Sequence, residues 1–223
     1  GRTSRLKDFA PECYTRLFEQ QMNFFMQGMT YEIEFVPVDT TQQKVVYEDH
    51  SVTVETVPLR HRVPCCGYIF REKPTLPHIR RDMIDYYGIP LSQINNIKNG
   101  ADWTTPEGDI VPNSRLVEPA DAPRSYAYCS DTCYLPDLYE RVKDVTVLYH
   151  ESTYTSENED RAKIYYHSTA RQAALVAQKA GAGRLLLGHY SARYNNENVL
   201  LEEAKAVFPE SYLAQEGMVF EVK

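Results

Sequence analysis

Apolar and polar positions change period several times along the chain, and each change marks an element. Residues 51–57 alternate with a period of two, as a strand with one buried face does, and 126–129 form a shorter β-rich run. Residues 145–149 and 185–187 are nearly continuous apolar runs, the pattern of strands covered on both faces. Between those two runs the period becomes helical. Thr169-Ala170-Arg171-Gln172 fits a capping box, Ala170, Ala173, Ala174 and Ala177 fall on one face, and Gly181 supplies a stop. A further helix is predicted over 196–207, ahead of Pro209, and 212–214 with 218–222 reads as a closing hairpin. Strands alternating with helices predict a layered α/β domain.

Composition narrows this picture. The 223 residues, 43% of them apolar, suffice for one hydrophobic core. No run of about 18 apolar residues occurs, and Gly1-Arg2-Thr3-Ser4-Arg5 has no apolar signal core, so a soluble cytoplasmic protein with no membrane contact is expected. The net charge is −7, so any nucleic-acid contact must come from a local basic patch. Residues 71–98, with five basic against three acidic side chains, are the only net-positive block. Lys73-Pro74, Leu76-Pro77 and Ile89-Pro90 punctuate that block, which reads as a projecting insertion and not as a core element. The five cysteines form an odd set without disulfide or zinc-knuckle spacing and are expected to be reduced.

Candidate chemistry gathers at predicted strand ends. His61, His150, His189 and Asp131 each follow a predicted strand, and His167 precedes the helix cap. In layered α/β sheets the carboxyl ends of strands open onto one crevice, where groups distant in sequence converge. Two imidazoles and a carboxylate are the ligand set of a hydrolytic zinc site. The alternative is that each histidine merely caps a turn. Glu151 is placed to orient His167, which can then donate a proton near neutral pH, and the alternative there is a polar lid on the helix start. Ser191 and Arg193 put a hydroxyl and a guanidinium beside His189, matched to phosphate oxygens, although a surface salt bridge would also use Arg193. His50 and His78 are expected to be exposed.

The motifs also resemble a known family. His61 through Gly67-Tyr68-Ile69-Phe70-Arg71-Glu72-Lys73, Ser130-Asp131-Thr132, His150-Glu151-Ser152-Thr153, His167-Ser168-Thr169 and His189-Tyr190-Ser191-Ala192-Arg193-Tyr194 resemble ribonuclease Z, the tRNA 3′-processing endonuclease of the metallo-β-lactamase superfamily. The resemblance implies a four-layer αββα sandwich and two zinc ions per full-length chain, with His61 and His189 each on one ion and Asp131 bridging. It implies that His167, oriented by Glu151, is the general acid, and that Ser191, Arg193 and Tyr194 lie by the scissile phosphate. Residues 71–98 would be the arm that grips precursor tRNA, through Arg80, Arg81 and Lys98, in a homodimer.

The chain departs from the family pattern in three places. The His-x-His-x-Asp-His signature is absent from these 223 residues, so the amino-terminal part of the fold is expected to be missing. This chain alone is then expected to expose apolar surface, to bind zinc weakly and to cleave nothing. Gly88-Ile89-Pro90 stands where many relatives have a Gly-Pro pair, and Ser152 replaces a more usual alanine, a change expected to be harmless. Two other functions compete: a hydrolase of small esters on the same fold, and a non-catalytic member that binds RNA or a partner.

Overall fold

The local signals around 169–181 form as written. In the computed structural model, which describes residues 1–25 and 30–223, the Thr169 side chain accepts from the Gln172 N–H while the Gln172 side chain accepts from the Thr169 N–H. The helix Ala170–Ala180 ends on Gly181 in the left-handed region, at φ 65°. Ala170, Ala173, Ala174 and Ala177 are fully buried, because their small side chains let the helix lie close to a sheet.

Contacts divide the chain into two units, Gly1–Arg71 with Arg124–Lys223, and Glu72–Pro123. The strands of the larger unit are β1 (Leu6–Ala10), β2 (Ile33–Pro37), β3 (Val45–Glu48), β4 (Val52–Pro58), β5 (Cys66–Glu72), β6 (Ser125–Cys129), β7 (Val147–Glu151), β8 (Arg184–Gly188) and β9 (Ser211–Leu213). Its main helices are α1 (Glu12–Phe25), α2 (Glu159–Tyr165), α3 (Ala170–Ala180) and α4 (Asn198–Lys205). Seven strands form one sheet in the order β9-β8-β7-β6-β5-β4-β3, and β1 pairs with β2 in a separate two-stranded sheet. Strands β6 to β9 run parallel, in register from Cys129↔His150 to Glu151↔Gly188. One sheet face, with Val57, Ile69, Ala127, Leu148, Leu185 and Leu187, joins the alanine stripe of α3 and Leu200 of α4 in the core.

The other face carries a row of paired residues across five strands: Tyr68, Tyr128, Tyr149, Leu186 and Tyr212. Tyr128 and Tyr149 stack with ring centres 4.6 Å apart, and the Tyr68 hydroxyl donates to the Phe9 carbonyl of β1 at 2.6 Å. Phe70, Tyr128 and Tyr212 remain exposed on this face. Among the described residues no helix is long and apolar enough to cross a membrane.

Two expectations need correction. The apolar run expected at 145–149 becomes a strand two residues later, so His150 and Glu151 lie inside β7 and not beyond it. The reason is register: Glu151 still pairs with Gly188 of β8. The expected closing hairpin does not form. Only Ser211–Leu213 is a strand, and it adds in parallel to β8, while Val219 is 86% exposed and has no sheet face to bury against. The proline-punctuated block, read as a projecting insertion, has a small core of its own. Ile89, Ile97, Val111 and Leu116 pack together within Glu72–Pro123, and the unit continues past Lys98. Ile89, between Gly88 and Pro90, is one of those core residues.

Removing the Thr169 hydroxyl strips a buried cap of its N–H acceptor. Thr169→Ala is expected to destabilise the fold by about 1–2 kcal/mol, and Thr169→Ser by much less. Urea unfolding followed by circular dichroism checks this, and equal midpoints for the two variants would contradict the role of the cap.

Candidate active site

The parallel strands bring their ends to one place. Asp131 lies two residues past β6, Glu151 ends β7 and His189 follows β8, so sequence-distant groups meet as the register dictates. One ligand atom from each of Asp131, Glu151, His167 and His189 lies within 4.8 Å of the others. Gly188 is required just before His189, since a Cβ there would overlap the Tyr149 ring.

Glu151 is the centre of the arrangement. Its carboxylate is fully buried and accepts four hydrogen bonds, two on each oxygen. Oε1 takes the Thr132 N–H at 2.6 Å and His167 Nδ1–H at 3.0 Å. Oε2 takes the Thr153 hydroxyl at 2.6 Å and the Ser168 N–H at 2.9 Å. Burial alone would push this carboxyl up, but the bonds from His167, Ser168 and Thr153 outweigh it and hold it below its ordinary value. The hydrogen bond to Glu151 in turn raises His167, against the opposing effect of its partial burial.

A carboxylate can only accept, so Nδ1 of His167 carries a proton and Nε2 faces away from Glu151. His189 is fixed by one further link. The single proton of the Thr153 hydroxyl goes to Glu151, and Thr153 Oγ then accepts from His189 Nδ1 at 2.8 Å. Nε2 of a neutral His189 is therefore a bare lone pair, 3.0 Å from Asp131 Oδ1. Two electron-pair donors that close repel unless a proton or a cation lies between them, so this donor set fits a divalent cation. The side chains of Asp131 and His189 are 51% and 38% exposed, which leaves them open to such an ion.

His61 stands beside that group and not within it. Its ring centre is 5.2 Å from that of His167, which is itself 5.2 Å from that of His189. His61 Nδ1 donates to the Tyr166 carbonyl at 3.1 Å, and Nε2 has no hydrogen-bond partner among the described residues. His150 is fully buried; its Nδ1 donates to the Glu151 carbonyl at 2.7 Å and burial depresses its pKa, so it is a neutral structural residue outside the cluster. Arg193 makes no ion pair among the described residues. It reaches Ser191 Oγ and Asn158 Oδ1, both at 3.2 Å, and lies 5.1 Å from the centre of the Tyr154 ring. The Tyr194 hydroxyl accepts from the Thr155 N–H at 2.9 Å and anchors the same loop. In the smaller unit Arg80 is paired with Asp82 at 2.7 Å, while Arg81 and Lys98 have no ion pair among the described residues. Burial raises the Cys129 thiol to about 12, so it remains protonated.

Sequence reasoning gave no role to Thr132, Thr153, Tyr166 or Ser168. Thr153 and Ser168 lie in the quoted motifs, next to groups that need an orienting partner, and that adjacency was their signal. Asp131, Tyr166 and His189 share a second feature: each is a non-glycine residue in the left-handed region, at φ 53°, 62° and 57°. Such backbones cost about 1–2 kcal/mol each and persist where surrounding bonds determine them.

Comparison with known proteins agrees with this geometry. No protein-family model matches the chain. Solved structures with a similar fold include the metallo-β-lactamase fold protein YhfI of Bacillus subtilis (TM-score 0.60, 16% identity, 97% of this chain and 65% of that one). Another is the short form of human tRNase Z (TM-score 0.60, 18% identity, 98% of this chain and 68% of that one). The fold is thus that of the metallo-β-lactamases. Among curated proteins, ribonuclease Z of Bacteroides fragilis (strain YCH46) is 48% identical over 218 residues, 98% of this chain and 72% of the relative. The chain belongs to the ribonuclease Z family.

The His167–Glu151 pair predicts a pH window. His167 is raised above 6.5, so its stabilising contribution is full below 6.5 and lost as pH climbs through the folded value. Glu151 is held below 4.5, so its contribution is full above 4.5 and lost as pH falls through its folded value. Glu151→Gln is expected to lower the His167 pKa in an NMR titration and to reduce stability most between pH 4.5 and 6.5. An unshifted His167 titration would show that the two side chains are uncoupled.

Proposed function

We propose that the protein is a metal-dependent endoribonuclease that cuts precursor tRNA at its 3′ end and leaves a 3′-hydroxyl. The observation that carries this reading is the joint presence of an oriented imidazole, His167 on Glu151, and a lone-pair pair, His189 and Asp131, 3.0 Å apart. His61, His189 and Asp131 would hold the metal, with zinc as the ion and two ions as the complement. Bound there, a divalent cation supplies Lewis-acid activation of water and neutralises charge developing at phosphorus.

The chain's own residues do the rest. As water adds to phosphorus and gives up a proton to solvent, the P–O3′ bond breaks and the departing ribose oxygen takes a proton from His167 Nε2, which solvent then restores. Glu151 compensates the imidazolium before the transfer and keeps the ring aimed after it. Arg193 and Ser191 engage the phosphate oxygens, and Tyr194 holds their loop against Thr155. Residues 71–98 act as the RNA-gripping arm, through Arg80, Arg81 and Lys98. The enzyme works in the cytoplasm as a homodimer. A small-ester hydrolase would not need this basic block, and a degenerate binder would not need a charged acid pair beside two lone pairs.

In the protein expressed from its natural gene, His167→Ala is expected to cut turnover on precursor tRNA by at least a hundredfold, general acid catalysis being worth about 10²–10⁴. Metal content, read by elemental analysis, should stay as in the wild type. Loss of the metal together with activity would make His167 a ligand and not an acid.

Arg80→Ala with Arg81→Ala is expected to weaken precursor-tRNA binding and to lower the slope of log affinity against log salt by about one for each phosphate no longer neutralised. Arg81 should contribute more, because Asp82 already neutralises Arg80. Filter binding over a salt series measures both, and an unchanged slope would remove the arm from the interface.

A further inference from the structure

A cavity of about 520 Å³ opens beside His167, and none of the roles above uses it. Its size lies within the usual range for small-molecule sites, about 300–1,000 Å³. Its wall is rich in nitrogen donors that the chain leaves unused. The Arg60 guanidinium makes no ion pair among the described residues and sits 6.0 Å from the centre of the Tyr166 ring. The Lys163 ammonium, on α2 one turn past Glu159, likewise has no ion pair among them.

Gln172 adds a neutral donor. It is only 8% exposed, and its Oε1 is engaged in the capping box, accepting from the Thr169 N–H at 3.0 Å. Its amide nitrogen has no hydrogen-bond partner among the described residues, and the residue lines the cavity. That nitrogen opens onto the cavity and is free to donate to an acceptor from outside the chain. Tyr166 completes the wall with an aromatic ring, set by its left-handed backbone at φ 62°. Among the described lining residues Glu159 is the one carboxylate, an acceptor with nothing to donate.

These groups specify a ligand. Two cations and an amide N–H suit a phosphate, an aromatic ring suits a base, and a carboxylate suits a sugar hydroxyl. His167 lies in the same wall. We propose that this cavity is a nucleotide subsite that takes the ribonucleotide whose 3′-oxygen departs, with its 5′-phosphate on Arg60, Lys163 and Gln172, its base on Tyr166 and a ribose hydroxyl on Glu159. The assignment rests on His167 being the acid of RNA cleavage, since the oxygen it protonates belongs to the nucleotide beside it. A carboxylate on the 2′-hydroxyl would also make the subsite prefer RNA to DNA at that position.

Calorimetric titration of the protein expressed from its natural gene tests the subsite. The ligands are a nucleoside 5′-monophosphate, the matching nucleoside and inorganic phosphate. The monophosphate is expected to bind at least tenfold more tightly than either of the others. Arg60→Ala with Lys163→Ala should erase that advantage, Lys163→Arg should restore part of it, and Lys179→Ala, outside the cavity, should leave it unaltered. Inorganic phosphate binding as tightly as the monophosphate, or a double variant that binds like the wild type, overturns the subsite. The titration needs no turnover. A protein that shows the expected binding but leaves precursor tRNA uncut keeps its nucleotide subsite and loses the nuclease reading, whereas cleavage without such binding does the reverse.

Discussion

A single buried charge organises this protein. Glu151 is fully buried, and an unpaired carboxylate there would cost several kcal/mol in lost hydration. Four donors meet it, and hydrogen bonds to a charged group contribute about 1.5–3 kcal/mol each, so the set is large enough to offset that cost. The carboxyl therefore stays ionised, in keeping with its depressed pKa. Its partners come from three segments: Thr132 from the loop after β6, Thr153 from the continuation of β7, and His167 with Ser168 from the turn before α3. Loss of the charge would release all three loops at once. The network is cooperative in that sense, because each donor is positioned by a backbone that the others also hold.

Strained backbone borders this network. Asp131 precedes Thr132, Tyr166 precedes His167, and His189 is tied to Glu151 through Thr153; all three adopt left-handed backbones. The strain has a use in each case. At Tyr166 it turns a carbonyl toward His61 Nδ1 and fixes that ring's tautomer. At Asp131 and His189 it accompanies the closure of two side chains onto each other. Helix α3 supplies the rigid base, since its capping box begins two residues after His167 and fixes the direction from which that ring arrives.

What sequence reasoning could reach follows the range of the interactions. The capping box, the alanine stripe and the Gly181 stop are local, and the structure reproduces them residue by residue. Asp131 and His189 were recognisable because strand ends converge by a general rule of layered sheets, but the same rule also picked His61 and His150, which lie outside the cluster. The exit point of β7 was missed by two residues, because His150 and Glu151 look too polar for a strand interior until Gly188 is known to lie opposite. The expected hairpin failed for a related reason: an alternating pattern over 218–222 says nothing about whether a partner edge exists. The core of Glu72–Pro123 was hidden because Ile89, Ile97, Val111 and Leu116 are scattered among prolines with no common period. The Glu151 hub itself joins residues 19 apart in one direction and 17 in the other, and no short-range pattern encodes such a contact.

His167 and His189 show how little separates two chemical roles. Their rings are similar in kind, nearly parallel at 29° and 5.2 Å apart. His167 touches the carboxylate directly, and that hydrogen bond raises its pKa. His189 touches the same carboxylate through the Thr153 hydroxyl, which delivers its own proton to Glu151 and accepts one from the ring. That intermediate oxygen presents an oriented dipole in place of a full charge, enough to fix a tautomer. One carboxylate thereby orients both rings, directly on one side and through a hydroxyl on the other. The difference between them is a single interposed hydroxyl, placed two residues along the same chain.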